Sequence, residues 1–161
     1  MSKKLALVFG GSRGIGAACV ESLKGEFDVA YTRTGAAQGA YKADIQNADE
    51  VKKVFADIEA KHGRKVDCVV VNAGINVPPG PMAQFDPANF RKLVEVNIVG
   101  AFNVLAEAAR QVADGGTIIA ITTSLVRHPA PGLGPYSATK AAVECMVRSM
   151  AKELAGRKVR V

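Results

Sequence analysis

The sequence predicts an α/β fold built on a parallel sheet, and two features carry that prediction. Short apolar runs alternate with helical patterns from end to end, and a cluster of glycines follows the first apolar run directly. Strands separated by helices imply βαβ units and a parallel sheet. Right-handed crossovers then favour a doubly wound strand order of 3-2-1-4-5. The 161 residues suffice for one domain, residues 1–161, with a real core.

Leu5 to Phe9 is a continuous apolar run, as expected of a parallel strand buried on both faces. Gly14 to Gly25 fits a helix with Ile15, Cys19, Val20 and Leu23 turned inward. Phe27 to Thr32 reads as the second strand and Gly39 to Ala43 as a short third. From Ala48 to His62, Val51, Val54, Phe55 and Ile58 recur at helical spacing, and Gly63 supplies a stop signal. Val66 to Val71 is the fourth strand. Asp86 then caps a long helix reaching about Val112, with Pro87 in its first turn. Thr117 to Thr122 is the fifth strand, and a Pro/Gly-rich loop leads to a helix from Tyr136 to about Ala155. Lys158 to Val161 reads as the opening of one more strand, so the domain is expected to be incomplete at its C-terminus.

Composition narrows the function. A chain that is 48% hydrophobic and 22% charged is an ordinary globular one. No apolar run reaches the roughly 18 residues of a membrane span, and the start lacks the pattern of a signal peptide. We expect a cytoplasmic protein without a membrane partner. Cys19, Cys68 and Cys145 are far apart, as are His62 and His128, so no metal site is expected. The net charge of +6 fits either a solvated surface or an attraction to anionic ligands. Scattered basic residues without an aromatic ladder argue against nucleic acid.

The glycine cluster Gly10-Gly11-Ser12-Arg13-Gly14-Ile15-Gly16 lies between a strand and a helix. Glycines permit the tight turn and the close approach of backbone to a pyrophosphate, and the helix N-terminus offers free N–H groups to the phosphates. This context predicts a Rossmann-type dinucleotide site. A Gly-Lys-Ser/Thr sequence is missing, which disfavours an NTPase. An NAD site places a carboxylate at the end of the second strand; here that strand runs into Tyr31-Thr32-Arg33-Thr34. Arg33, with Arg13 on the opposite side, can meet a 2′-phosphate through charge-assisted bonds, so NADP(H) is favoured over NAD.

Tyr136 and Lys140 are four residues apart at the start of a helix and share one face. A free phenol titrates near 10, which makes it a poor acid at neutral pH. An ammonium about 4 Å away, at an effective dielectric near 20, is worth on the order of 4 kcal/mol, or roughly three pKa units, in favour of phenolate. Such a pair is common by accident. Its company makes it informative: Asn72-Ala73-Gly74 ends the fourth strand, Asn97 sits among apolar neighbours in the long helix, and Thr122-Thr123-Ser124 ends the fifth strand. All of these are expected to converge on one crevice at the carboxyl ends of the strands.

Together these motifs resemble the classical short-chain dehydrogenase/reductase family, over the whole chain and in order. The resemblance implies an NADPH-dependent oxidoreductase that moves a hydride between nicotinamide and a carbonyl or secondary alcohol. The reductases of 3-oxoacyl groups on acyl carrier protein are the nearest functional image, which brings that carrier in as a potential partner. Tyr136 would be the general acid, and Lys140 would tune it and bond the nicotinamide ribose. A hydroxyl from Ser124 or Thr123 would polarise the carbonyl. Ungapped spacing selects Thr123, and a one-residue change in the loop selects Ser124, which we slightly favour. Asn97 would hold a water of the proton relay. Asn72, Ala73 and Gly74 would line the cofactor, Asp44 and Ile45 would meet the adenine, and Thr34 would flank the 2′-phosphate beside Arg33. Phe9 and Val71 stand where the family has Thr and Asn. The resemblance also implies that the sixth and seventh strands are missing. It implies a homodimer or homotetramer formed by the Asn97 and Tyr136 helices, through positions such as Ala101, Ala108, Ala142, Val143 and Met146, which serve a chain's own core equally well. The competing reading is a catalytically silent nucleotide-binding or interaction module, or an inactive fragment of such an enzyme.

Overall fold

The computed structural model describes residues 3–35 and 38–161. Five parallel strands form one sheet in the order β3-β2-β1-β4-β5. They are β1 (Lys4–Phe9), β2 (Phe27–Arg33), β3 (Tyr41–Lys42), β4 (Cys68–Val71) and β5 (Thr117–Ala120). This is the doubly wound order expected from the alternation of strand and helix. β1 is the hinge of the winding, because β2 and β4 flank it on either side.

β1 shows why its whole run is apolar. Leu5, Leu7 and Phe9 face one layer, while Ala6 and Val8 face the other, and all five are fully buried. The first layer holds α2 (Ala48–His62), α4 (Ala101–Gln111) and α5 (Gly134–Glu153). There Phe9 meets Phe55 at a ring-centroid distance of 5.8 Å. The second layer is thinner. α1 (Gly14–Leu23) covers it through Cys19, Val20 and Leu23, and Ile119 of β5 stays 43% exposed on the uncovered part. Ile15, expected to turn inward with them, is 62% exposed, because the first turn of α1 projects past the strand ends into the cleft described below.

α2 begins and ends where its sequence directs. The Asn47 side chain accepts the N–H groups of Asp49 and Glu50, and Gly63 adopts φ 65° to close the helix. The long helix expected from Asp86 to Val112 is a composite. Asp86 caps α3 (Pro87–Val94) by accepting Ala88 N–H, a π-turn occupies Glu95–Gly100, and α4 follows. The wider turn carries Asn97, a placement typical of π-turns at functional sites. At the C-terminal end of α4, Arg157 donates to the carbonyls of Ala109 and Val112 and pairs with Asp114. This clamp brings Arg160 beside β5, where its backbone bridges Thr117 in parallel. The last residues thus take the strand-like path that their pattern predicts. Among the described residues, no helix is long and apolar enough to cross a membrane.

Candidate active site

A cleft of about 720 Å³ opens at the carboxyl ends of the strands. Its floor is the glycine loop. Gly10 takes φ 79°, and a Cβ there would lie 2.9 Å from the Cα of Ala73. A Cβ on Gly16 would lie 2.1 Å from the Gly10 carbonyl oxygen and 2.5 Å from Asn72 Nδ2. Glycine is therefore required at both places by the close approach of backbone to backbone. Asn72 uses the space by donating from Nδ2 to Gly10 O at 2.9 Å. From the other side, Thr32 Oγ1 accepts Gly10 N–H at 3.1 Å. No side chain caps the N-terminus of α1, which leaves its first N–H groups for an anion in the cleft.

Gly10, Ser12, Arg13, Gly14, Ile15, Arg33, Thr34, Asp44, Ile45, Asn72, Ala73 and Gly74 all line this cleft, together with Tyr136 and Lys140. Gly16 is buried beneath it. Among the described residues, neither Arg13 nor Arg33 has a carboxylate within ion-pair distance. The Asp44 carboxylate accepts Gln46 N–H at 3.0 Å, which fixes its rotamer at the edge of the cleft.

Tyr136 is half-buried and Lys140 is 7% exposed. Lys140 Nζ donates to Ile121 O at 3.0 Å, just past the end of β5. Burial lowers its pKa from the usual 10.5, because desolvation penalises the ammonium. Asn97, 1% exposed, does not line the cleft; it stands behind Gly74. Its Oδ1 accepts Ile75 N–H, and its Nδ2 donates to Ile75 O, each at 2.9 Å. A Cβ on Gly74 would sit 3.1 Å from Asn97 Oδ1 and 3.4 Å from Lys140 Nζ. Only the missing side chain lets these two groups approach the same point.

The two hydroxyls after β5 lie in a turn beyond the cleft lining. Thr123 Oγ1 accepts Leu125 N–H at 3.3 Å and caps a short 3-10 turn, Ser124–Val126. Ser124 is exposed. Their neighbour Thr122 does line the cleft. Sequence reasoning also missed Thr32, Gln46, Ile75, Asn76, Lys92 and Val96 in the lining. Thr32 was detectable as a polar residue in a buried strand, at 1% exposure. The others come from loops, from α3 (Lys92) and from the π-turn itself (Val96), which no local motif marks.

The sheet order, the glycine loop and the convergence of Tyr136 and Lys140 on one cleft define a dinucleotide-binding protein of the oxidoreductase type. The chain belongs to the short-chain dehydrogenase family, whose model matches residues 4–161. A short-chain type dehydrogenase/reductase of Picea abies is 40% identical over 121 residues, covering 73% of this chain and 44% of that protein. The Arabidopsis thaliana NADPH-dependent aldehyde reductase-like protein, chloroplastic, is 34% identical over 185 residues, covering 97% of this chain and 68% of that protein. A Burkholderia cenocepacia short chain dehydrogenase solved in complex with NADP superposes with a TM-score of 0.89 at 29% identity, covering 99% of this chain and 72% of that one. The chain therefore spans less than half of the spruce protein and about seven tenths of the other two.

The burial of Lys140 has a consequence for stability. Below its folded-state pKa the lysine is charged both folded and unfolded, and the cost of burying the charge opposes folding in full. As pH rises from that value toward 10.5, the folded chain releases the proton first, so the penalty fades and stability increases. Lys140→Met is expected to flatten this rise in urea melts recorded across that range. An unchanged pH slope would show that the ammonium is not desolvated.

Proposed function

We propose that this chain binds NADP(H) in the cleft and, with it, interconverts a carbonyl compound and its alcohol. The observation that carries the reading is the placement of Tyr136 and buried Lys140 in the same cleft as the glycine loop. When bound, the dinucleotide supplies or accepts the hydride. The uncapped start of α1 would hold the pyrophosphate, Arg13 and Arg33 the 2′-phosphate, and Asp44 with Ile45 the adenine edge. Tyr136 would give its phenolic proton to the oxygen of the carbonyl as that oxygen gains charge. Lys140, anchored on Ile121 O, would keep its positive charge beside the phenol and meet the nicotinamide ribose. Asn97 would hold a relay water on its Oδ1 side, toward Lys140.

A hydroxyl from the turn after β5 would polarise the carbonyl. Thr123 is supported by its anchored lone pair: accepting Leu125 N–H leaves its own proton free to donate. Ser124 has the exposure to reach a substrate. Substitution of each in turn separates them. The substrate class is a small aldehyde or ketone, with 3-oxoacyl thioesters, and so acyl carrier protein, as the more specialised option. The cytoplasm is the proposed compartment.

The chain is also proposed to self-associate through the helical layer. Of the two readings of the small positions, interface or core, Ala101, Ala108 and Val143 take the core one, at 4%, 0% and 2% exposure, because the small residues of α4 and α5 pack against the sheet and each other. Phe90, Val99 and Phe102 are the large apolar residues this helix leaves exposed, and they are the better candidates.

NADPH oxidation over a panel of aldehydes, ketones and 3-oxoacyl thioesters tests the activity. Tyr136→Phe is expected to lower kcat by about 10²–10⁴-fold with NADPH still bound. Folded parent chain that binds NADPH and turns over nothing would support the silent-module reading. In calorimetry, Arg13→Ala and Arg33→Ala are each expected to weaken NADPH by about ten- to a hundredfold and leave NADH nearly unchanged; equal losses for both would remove the 2′-phosphate assignment. Light scattering should give a dimer or tetramer for the parent and a smaller species for Phe102→Glu, whereas a monomeric parent excludes the interface.

A further inference from the structure

A third buried polar residue stands between Asn97 and Tyr136. Thr139 is 1% exposed, on the first turns of α5. Its hydroxyl donates to Tyr136 O at 2.7 Å, and its lone pair receives Asn97 Nδ2–H at 3.1 Å. A hydroxyl has one proton, and that proton is committed to the carbonyl, so only an acceptor faces Asn97. The other two bonds of the Asn97 amide go to both backbone groups of Ile75. One amide therefore ties together the loop after β4, the π-turn and α5. Among the described residues, the bond through Thr139 is the hydrogen bond that joins the π-turn to α5.

We propose that Thr139 is a positioning residue, whose hydroxyl couples the Asn97–Ile75–Gly74 wall to the first turn of α5 and so fixes where the Tyr136 phenol stands relative to that wall. The inference rests on the functional reading above, which makes Tyr136 the proton donor. Valine matches threonine in shape but offers no acceptor. In Thr139→Val, Asn97 Nδ2 would keep a buried donor with nothing to receive it, a costly state that the pair escapes by moving apart. Tyr136 would then be free to shift with its helix turn. Serine keeps the hydroxyl and should keep the coupling. Arg13, Arg33, Asp44 and Lys92, the other charged groups that line the cleft besides Lys140, are untouched by either change.

The experiment uses the full chain with both variants. Thr139→Val is expected to lose about a hundredfold in kcat, as for a misplacement of about 1 Å, with the NADPH Kd and the substrate KM little changed; Thr139→Ser is expected to stay close to the parent. A second readout needs no turnover. With 13Cζ-labelled tyrosine and no cofactor, the Tyr136 resonance should move in Thr139→Val and hold its place in Thr139→Ser. A folded Thr139→Val with parental kcat and a parental Tyr136 resonance overturns the proposal. So does Thr139→Ser behaving like Thr139→Val, which would trace the effect to the methyl group. An inactive parent defeats the functional reading, while the resonance still decides the positioning role. If Thr139→Val does not fold, the parent decides: an NOE between the Asn97 Nδ2 protons and the Thr139 side chain is expected, and its absence overturns the coupling.

Discussion

The close approach of Gly16 to the Gly10 carbonyl is the constraint on which the cleft depends. Nothing larger than hydrogen fits between them, so the first turn of α1 is drawn against the end of β1. Asn72 then clamps Gly10 O from β4, and Thr32 clamps Gly10 N–H from β2. The three strand ends are thus tied at the point where the winding reverses. A crevice must open there, because α1 leaves on one face and the helices after β2 and β4 cover the other. The same tie explains why Asn72 is needed without invoking any ligand. A buried carbonyl at the turn would otherwise lack a partner, at a cost of about 1–3 kcal/mol.

The charge of the lining is mostly positive. Arg13 and Arg33 have no carboxylate partner among the described residues, and Lys140 is buried with a single carbonyl as its acceptor. Burying the Lys140 ammonium costs free energy, whereas Arg13 is exposed to solvent. Asp44 is the one carboxylate in the lining, and Gln46 already engages it. A ligand bringing several negative charges would be steered into the cleft by these cations. The physical basis of the NADP(H) reading is therefore this charge imbalance more than the identity of either arginine.

Much of this was legible in the residues. The strand order followed from alternation and handedness. The span of α2 followed from its apolar stripe and Gly63, and the Asn47 cap was seen only in the structure. The glycine loop, Asn72 and the Tyr136–Lys140 spacing pointed at one crevice because each sits at a strand end or a helix start, where direction is known. Other features were hidden. The π-turn at Glu95–Gly100 leaves no mark in the hydrophobic pattern, since one inserted residue only rotates the later face. Val96, within the turn, and Lys92, one turn before it in α3, reach the cleft without any local motif to announce them. The outward turn of Ile15 reflects where α1 begins relative to the sheet, a tertiary fact that periodicity does not contain. The burial of Ala101, Ala108 and Val143 came from the same ambiguity, because small apolar positions serve a chain's own core as well as a partner's.

The hydroxyl turn after β5 turns a question of register into one of mechanics. Counting residues cannot choose between Thr123 and Ser124, since a strand end and a turn admit both. Structure changes the terms. Lys140 holds the backbone at Ile121, and the Thr122 hydroxyl lies 3.4 Å from Glu144 Oε1, one turn further along α5. The segment carrying the candidate hydroxyls is therefore attached to the helix that carries Tyr136 and Lys140. Under the proposed function, the distance of either hydroxyl from the phenol is constrained by α5 through Ile121 and Thr122. Two groups that must act on one oxygen atom are best held by one support, because relative motion between them would cost more in rate than any small error in either position.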